Sequence, residues 1–154
     1  MPPLPDFKRV KRARPTVQTH FHIDFRWWQE RDRDWRVFLQ NMLCPEHQLT
    51  FAELSDDHMV DFVDPSSAEV QRVDGLQHVI ITHCAKREGF ITPHTTVVDA
   101  IFRLFLANGN VPMTPLELAQ LSGRSPDIIL RVLTGDRIYR GLRPVMEGEN
   151  HLPL

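Results

Sequence analysis

The sequence predicts an α+β fold that is mostly helical, and three observations support this prediction. Apolar residues recur at helical spacing in several segments, and two short segments alternate with a period of two. The C-terminal third carries closely spaced helix start and stop signals. A chain of 154 residues suffices for one ordinary domain or two small parts that share a core. We therefore expect a small N-terminal part, built from a helix and a β-hairpin, packed against a more regular C-terminal domain.

Composition and charge divide the chain into four expected segments: a basic, flexible arm over 1–18, a subdomain over 19–90, a domain over 91–147 and a tail over 148–154. The arm holds five basic residues (Lys8, Arg9, Lys11, Arg12 and Arg14), whereas residues 20–90 carry 7 basic and 13 acidic side chains. A basic arm on an acidic body can contact phosphate, or it can fold back onto its own middle segment.

The remaining composition indicates a soluble intracellular protein. Hydrophobic residues make up 42% and charged residues 25% of the chain, as in ordinary globular domains. No apolar run reaches the roughly 20 residues that span a bilayer, and the basic N-terminus lacks the apolar stretch of a secretory signal. Two cysteines are too few for a disulfide framework. We expect a cytoplasmic protein without a membrane partner.

The N-terminal part is expected to contain a strand, a helix, a hairpin and a second helix. Residues 19–25 alternate, which predicts a strand that exposes its polar side chains. Residues 26–43 have helical spacing, with Trp28 and Trp35 on the apolar stripe that faces the core. Residues 58–75 resemble a hairpin whose turn is Asp64-Pro65-Ser66-Ser67. Asp74 can cap a helix over Gly75–Arg87.

The C-terminal third predicts three helices. Thr96 and Asp99 resemble a capping box at the start of the first, and Asn108–Asn110 end it. Thr114-Pro115-Leu116-Glu117 is a fuller start signal for the second helix, and Gly123 permits a sharp turn. The third helix begins at Ser125-Pro126 and ends at Gly135. The segment "RIYRGLRPV" (137–145) could form a hairpin after it.

Three helices with a tight glycine turn before the third, followed by a β segment, resemble the winged-helix family of helix-turn-helix domains. The resemblance covers residues 94–147 and depends on Leu118, Ala119, Gly123, Ile129 and Leu133, which sit where the family packs its second helix on its third. In DNA-binding members the third helix enters the major groove. The resemblance therefore implies a transcriptional regulator that binds double-stranded DNA. Its implied contact residues are Arg124, Ser125, Asp127, Arg131, Arg137, Arg140 and Arg143, together with the basic residues of the arm.

An alternative follows from the third helix itself. Apolar residues spread around most of its circumference, and such a helix is typical of a buried element. The same scaffold could then serve as a protein-interaction or dimerisation module, with Trp27 and Ile128 as contacts to a protein partner or a second copy.

Cysteine and histidine residues suggest a zinc site. Cys44 and His47 are spaced as Cys-x-x-His at a predicted helix end, and His83 and Cys84 lie further along the chain. Cys-x-x-His is a workable half of a tetrahedral zinc site. Because neighbouring residues on a regular helix point about 100° apart, Cys84 is the better third ligand, completed by His20, His22, His78 or His83. The alternative is that Cys84 packs as a small hydrophobic residue.

Common enzyme signatures are missing from the sequence. There is no phosphate-binding loop that ends in Gly-Lys-Ser/Thr, no His-Glu-x-x-His and no Gly-x-Ser-x-Gly. We therefore expect a protein without catalytic activity.

Overall fold

The structure, a computed structural model, describes residues 14–51, 59–63 and 70–146. Its elements, in chain order, are β1 (Phe21–Ile23), α1 (Phe25–Arg31), α2 (Trp35–Gln40), α3 (Pro45–Phe51), β2 (Met59–Val63), β3 (Val70–Asp74), α4 (Gly75–Thr82), a 3₁₀ helix (Cys84–Lys86), α5 (Val97–Ala107), α6 (Pro115–Ser122), α7 (Pro126–Leu133) and β4 (Leu142–Pro144). The fold is mixed and mostly helical, as the sequence predicts. No helix in these ranges is long and apolar enough to cross a membrane.

The expected single helix over residues 26–43 is two helices, α1 and α2. Asp32 explains the break, because its carboxylate accepts hydrogen bonds from the indole nitrogen of Trp28 at 3.0 Å and from the backbone nitrogen of Asp34 at 2.9 Å. Aspartate that bonds to nearby backbone in this way competes with helix continuation. The apolar stripe is nevertheless correct: Trp28 and Leu39 are fully buried.

The hairpin is confirmed as a pairing of β2 with β3, in antiparallel register from Met59–Asp74 to Val63–Val70. Its predicted turn lies outside the described residues. Asp74 caps α4 as expected, since its side chain accepts from the backbone nitrogens of Leu76 and Gln77. The helix ends at Thr82, however, rather than at Arg87.

Local start and stop signals place α6 and α7 where the sequence predicts them. Thr114 accepts from the backbone nitrogen of Glu117, and Gly123 ends α6 with a left-handed φ of 72°. The capping box expected at Thr96 is wrong in detail: Thr96 makes no side-chain cap hydrogen bond, and Asp99 pairs with Arg103 at 2.9 Å instead. Helices α6 and α7 therefore fold back on each other about a bend at Gly123.

The β segment after α7 does not form the hairpin expected over residues 137–145. Instead, β4 pairs antiparallel with β1, so that Ile23 lies opposite Leu142. The other edge of β1 bonds to the backbone of Met113 and to the side chain of Asn110, which donates to the carbonyl of Ile23 and accepts from its nitrogen, both at 2.9 Å. The N-terminal strand is thereby held between two segments of the C-terminal third.

A continuous core joins the two predicted parts. The Trp28 ring lies 5.6 Å from the Phe102 ring, in an edge-to-face arrangement, and α4 contributes Ile80 to the same buried cluster as Ile129 of α7. The strand expected to expose its polar face is buried over residues 21–23, since His22 is only 6% exposed, whereas His20 before it is exposed as predicted. The N-terminal part and helices α6 and α7 therefore share one interior.

Candidate metal centre and nucleic-acid interface

Two chain segments carry the cysteine and histidine side chains to the same place. Cys44 immediately precedes α3, and its carbonyl accepts from the backbone nitrogen of His47 at 3.0 Å, which brings both side chains to the start of that helix. His83 and Cys84 lie where α4 passes into the 3₁₀ helix. At His83 the backbone leaves helical geometry, with φ −132° and ψ −63°. Because this pair does not lie on a regular helix, its two side chains need not point about 100° apart.

Three donor atoms are mutually close. The Sγ atom of Cys44 lies 3.1 Å from Nδ1 of His47 and 3.4 Å from Sγ of Cys84, and the Cys84 sulfur lies 3.6 Å from the same nitrogen. Zinc–sulfur bonds of about 2.3 Å and zinc–nitrogen bonds of about 2.0 Å, at tetrahedral angles, place donor atoms about 3.3–3.8 Å apart. These three atoms thus already stand at nearly the spacing of one face of a tetrahedral site.

Two further side chains border this face. Donor atoms of Glu46 and His83 lie within 4.8 Å of those of Cys44 and His47 and of each other. The rings of His47 and His83 are 4.6 Å apart, and the His83 imidazole lies 3.9 Å from the Glu46 carboxylate. The described residues therefore provide a cluster with enough donors for one metal ion.

The two thiols differ in acidity. Burial disfavours the Cys44 thiolate, but hydrogen bonds from His47 and Arg87 outweigh burial and lower the pKa of Cys44 to about 6. Burial raises the pKa of Cys84 to about 11, and the neighbouring Cys44 sulfur adds to this rise. Cys44 is therefore the first of the pair to lose its proton and become a strong metal ligand.

Arg87 and Glu46 border the cluster but are not predicted from the sequence. Arg87 follows Cys84 by three residues, the same spacing as Cys44 and His47, and a basic residue there is the signal that could have identified it. Glu46 stands inside the Cys-x-x-His motif itself. His20, His22 and His78, the other candidates for a fourth ligand, are not part of the cluster that the described residues form.

The residues implied to bind DNA fall into two groups. Ser125, Asp127 and Arg131 are exposed on α7 or directly before it, and Arg137 is exposed after it. The other three arginines make contacts within the protein. Arg124 donates to the carbonyl of Thr95 at 3.0 Å, Arg143 pairs with Asp24 at 2.7 Å, and Arg140 lies 3.8 Å from Asp32 with its guanidinium 3.5 Å from the Phe38 ring centre.

The last residues of the arm, 14–18, lie beside α6. The carbonyl of Val17 accepts from the backbone nitrogen of Leu116 in the first turn of α6 at 3.2 Å, and the exposed Arg14 precedes this contact by three residues. Residues 14–18 are therefore attached to the fold, whereas Lys8, Arg9, Lys11 and Arg12 lie outside the described residues.

The two predicted partner contacts differ in exposure. Ile128 on α7 is 47% exposed. Trp27 is only half-buried, but the guanidinium of Arg31 lies 4.4 Å above its ring and that of Arg143 lies 5.3 Å away. Trp27 also lines an open groove of about 410 Å³ with Arg31, Arg137 and Arg140. Ile128 is thus the more available apolar contact.

No protein-family model matches this chain, and the curated proteins and solved structures likewise contain no match to it. The functional conclusion therefore depends on the geometry of the chain's own residues.

Proposed function

We propose that this chain is a zinc-stabilised helix-turn-helix protein that binds double-stranded nucleic acid and has no catalytic activity. The observation that carries the zinc proposal is the triangle of Cys44, His47 and Cys84, whose donor atoms lie 3.1–3.6 Å apart. We assign the fourth ligand to His83, since cysteine and histidine are the usual ligands of structural zinc. Zinc would tie the start of α3 to the end of α4.

Metal analysis of protein purified without chelator tests this part. We expect about one zinc per chain, and its loss in Cys44→Ser and Cys84→Ser. His83→Ala and Glu46→Ala identify the fourth ligand, because only the replacement of the true ligand should lower zinc affinity strongly. His94→Ala, which removes an exposed histidine outside the cluster, is the matched control. Wild-type protein that retains no stoichiometric metal would rule out the zinc proposal.

The nucleic-acid proposal is supported by the exposed polar face of the helix-turn-helix. Ser125, Asp127, Arg131 and Thr134 are all exposed on or beside α7, and a third helix with such a face can lie in the major groove. Arg137 and the arm beside α6 can contribute phosphate contacts. Because Arg124, Arg140 and Arg143 make internal contacts, we assign them a structural role and assign phosphate binding to the arm, Arg131 and Arg137.

Fluorescence-polarisation titration of mixed-sequence duplexes, from low to moderate salt, tests this proposal. We expect binding at low salt that the double variant Arg131→Ala/Arg137→Ala weakens. Arg26→Ala on α1, whose side chain is 88% exposed, is the control and should leave affinity unchanged. The proposal fails if duplex binding is absent even at low salt, or if both variants weaken it equally.

One observation favours a second candidate function, self-association. Ile128 is 47% exposed and Leu121 is 60% exposed on the two helices of the helix-turn-helix, and exposed apolar residues of this kind occur at protein interfaces. A second copy of the chain would cover Ile128. Sedimentation velocity should then show a dimer that Ile128→Lys dissociates, whereas the exposed Val37→Lys on α2 should not. A monomer at all concentrations excludes this candidate.

A further inference from the structure

We infer that Cys44 and Cys84 form a redox-active pair, in which a small hydroperoxide oxidises Cys44 and Cys84 then closes a reversible intramolecular disulfide. This modification site lies in the same cluster as the proposed metal, but it requires only the metal-free protein.

The first support is the distance between the sulfurs. They are 3.4 Å apart, and both side chains are buried, with Cys44 8% and Cys84 2% exposed. A disulfide has a sulfur–sulfur bond of about 2.05 Å, so the two atoms need to approach by only about 1.4 Å. The cysteines belong to different segments, separated by the β2–β3 hairpin and α4. Their bond would therefore close a long loop of the chain.

The second support is an access route. A cavity of about 240 Å³ opens beside the cluster, and Cys44, Cys84 and Arg87 all line it. Hydrogen peroxide or a small alkyl hydroperoxide fits a space of this volume, whereas the burial of both sulfurs hinders a bulky disulfide oxidant such as glutathione disulfide. Arg87 lines the same cavity as Cys44, and a cation beside a thiolate is typical of reactive cysteines. The cavity therefore gives a small oxidant access to both sulfurs.

The chemistry balances in two steps. The Cys44 thiolate attacks one peroxide oxygen, so that a sulfur–oxygen bond forms while the oxygen–oxygen bond breaks. The leaving alkoxide or hydroxide takes a proton and departs as alcohol or water, which leaves a sulfenic acid on Cys44. The Cys84 sulfur then attacks the Cys44 sulfur, the sulfur–oxygen bond breaks, and the hydroxide leaves as water with the proton of Cys84. The peroxide gains the two electrons that the sulfurs lose.

His47 is positioned to carry the proton in the second step. Its Nδ1 atom lies 3.1 Å from the Cys44 sulfur and 3.6 Å from the Cys84 sulfur, between the group that loses a proton and the group that releases hydroxide. Zinc, where it is bound, would hold both sulfurs as ligands and protect them. Oxidation would then expel the metal, and bound metal would slow oxidation.

Intact-mass spectrometry of metal-free wild-type protein after peroxide treatment tests the inference. The chain has only two cysteines, so a monomer that loses two hydrogens and regains them with dithiothreitol contains this disulfide. Protein unfolded in urea is the control, and we expect the disulfide to form much more slowly there. The inference is overturned if folded protein keeps two alkylatable thiols after peroxide, or if unfolded protein forms the bond as fast.

Two variants identify the order of attack. In Cys84→Ser the second step is blocked, so dimedone should trap the sulfenic acid on Cys44. In Cys44→Ser we expect no dimedone adduct on Cys84. Equal adducts in both variants contradict the assignment of Cys44 as the first site. Because all samples are metal-free and circular dichroism checks that they are folded, these outcomes do not depend on whether the purified protein contains zinc, and the two proposals can fail separately.

Discussion

Gly141 offers a quantitative test of how β4 is held against the N-terminal part. Its φ is +81°, and a Cβ atom added there would lie 2.7 Å from the carbonyl oxygen of Asp24 and 3.1 Å from the Cβ of Trp28. Its own carbonyl accepts from the nitrogen of Asp24 at 2.7 Å. The backbone of residue 141 thus packs directly on the start of α1, where neither the Asp24 backbone nor the buried Trp28 can move away easily.

The expected cost of Gly141→Ala has two parts. A left-handed conformation costs a residue with a Cβ about 1–2 kcal/mol, and forcing an extra carbon into a packed site costs about 1–3 kcal/mol. We therefore expect the free energy of unfolding to fall by about 2–5 kcal/mol. Gly123→Ala is the matched control, since φ is +72° there but nothing lies within 4 Å of the added Cβ. It should lose only the first part, about 1–2 kcal/mol.

Urea unfolding followed by tryptophan fluorescence measures both variants, because the three tryptophans report on the core that the substitution disturbs. The difference between the two variants isolates the crowding at Asp24 and Trp28. If Gly141→Ala is no less stable than Gly123→Ala, the close approach of β4 to α1 does not exist in solution, and the pairing of β1 with β4 is open to question.

Three further results are expected. Asn110→Ala should lower the free energy of unfolding by about 2–4 kcal/mol in the same urea assay, because two buried backbone groups of Ile23 lose their partner; a loss below that of Gly123→Ala would contradict this role. Deleting residues 1–14 should make the slope of log affinity for duplex DNA against log salt shallower by about 4 to 5, the contribution of five basic residues; an unchanged slope would show that the arm does not bind phosphate. Zinc affinity, measured by chelator competition, should fall as pH falls, since protons compete for thiolate and imidazole ligands; an affinity independent of pH would argue against Cys44 as a ligand.

Most, though not all, signals that act within a few residues predict the structure: the capping box expected at Thr96 does not form. Thr114 with Pro115 starts α6, Gly123 ends it, and Asp74 caps α4, because each depends on hydrogen bonds or backbone angles inside one turn. The break between α1 and α2 is local as well, but the helical spacing of the apolar residues concealed it. The carboxylate of Asp32 accepts from Trp28 and Asp34 at this break, and the spacing of apolar residues does not report such a side-chain contact.

The candidate metal ligands also combine a part that the local sequence predicts with a part that only the folded chain decides. Residue type and spacing identified Cys44 and His47 as a half-site, and all four candidate ligands meet in one cluster or on its edge. The departure of His83 from helical geometry, which lets His83 and Cys84 serve the same cluster, comes from the junction of α4 with the 3₁₀ helix. No periodicity in the sequence reports that junction.

From its sequence alone this protein is predicted to be a mostly helical α+β chain with a bend at Gly123 between two helices, a hairpin, and a Cys-x-x-His spacing. Only the tertiary structure decided that β4 pairs with β1 and that Arg124, Arg140 and Arg143 serve internal contacts. It also decided that the sulfurs of Cys44 and Cys84 meet. The physical reason is separation along the chain. Caps and turns depend on interactions within one turn of the chain, whereas these contacts join residues up to 119 positions apart. Such contacts form only when the whole chain has folded.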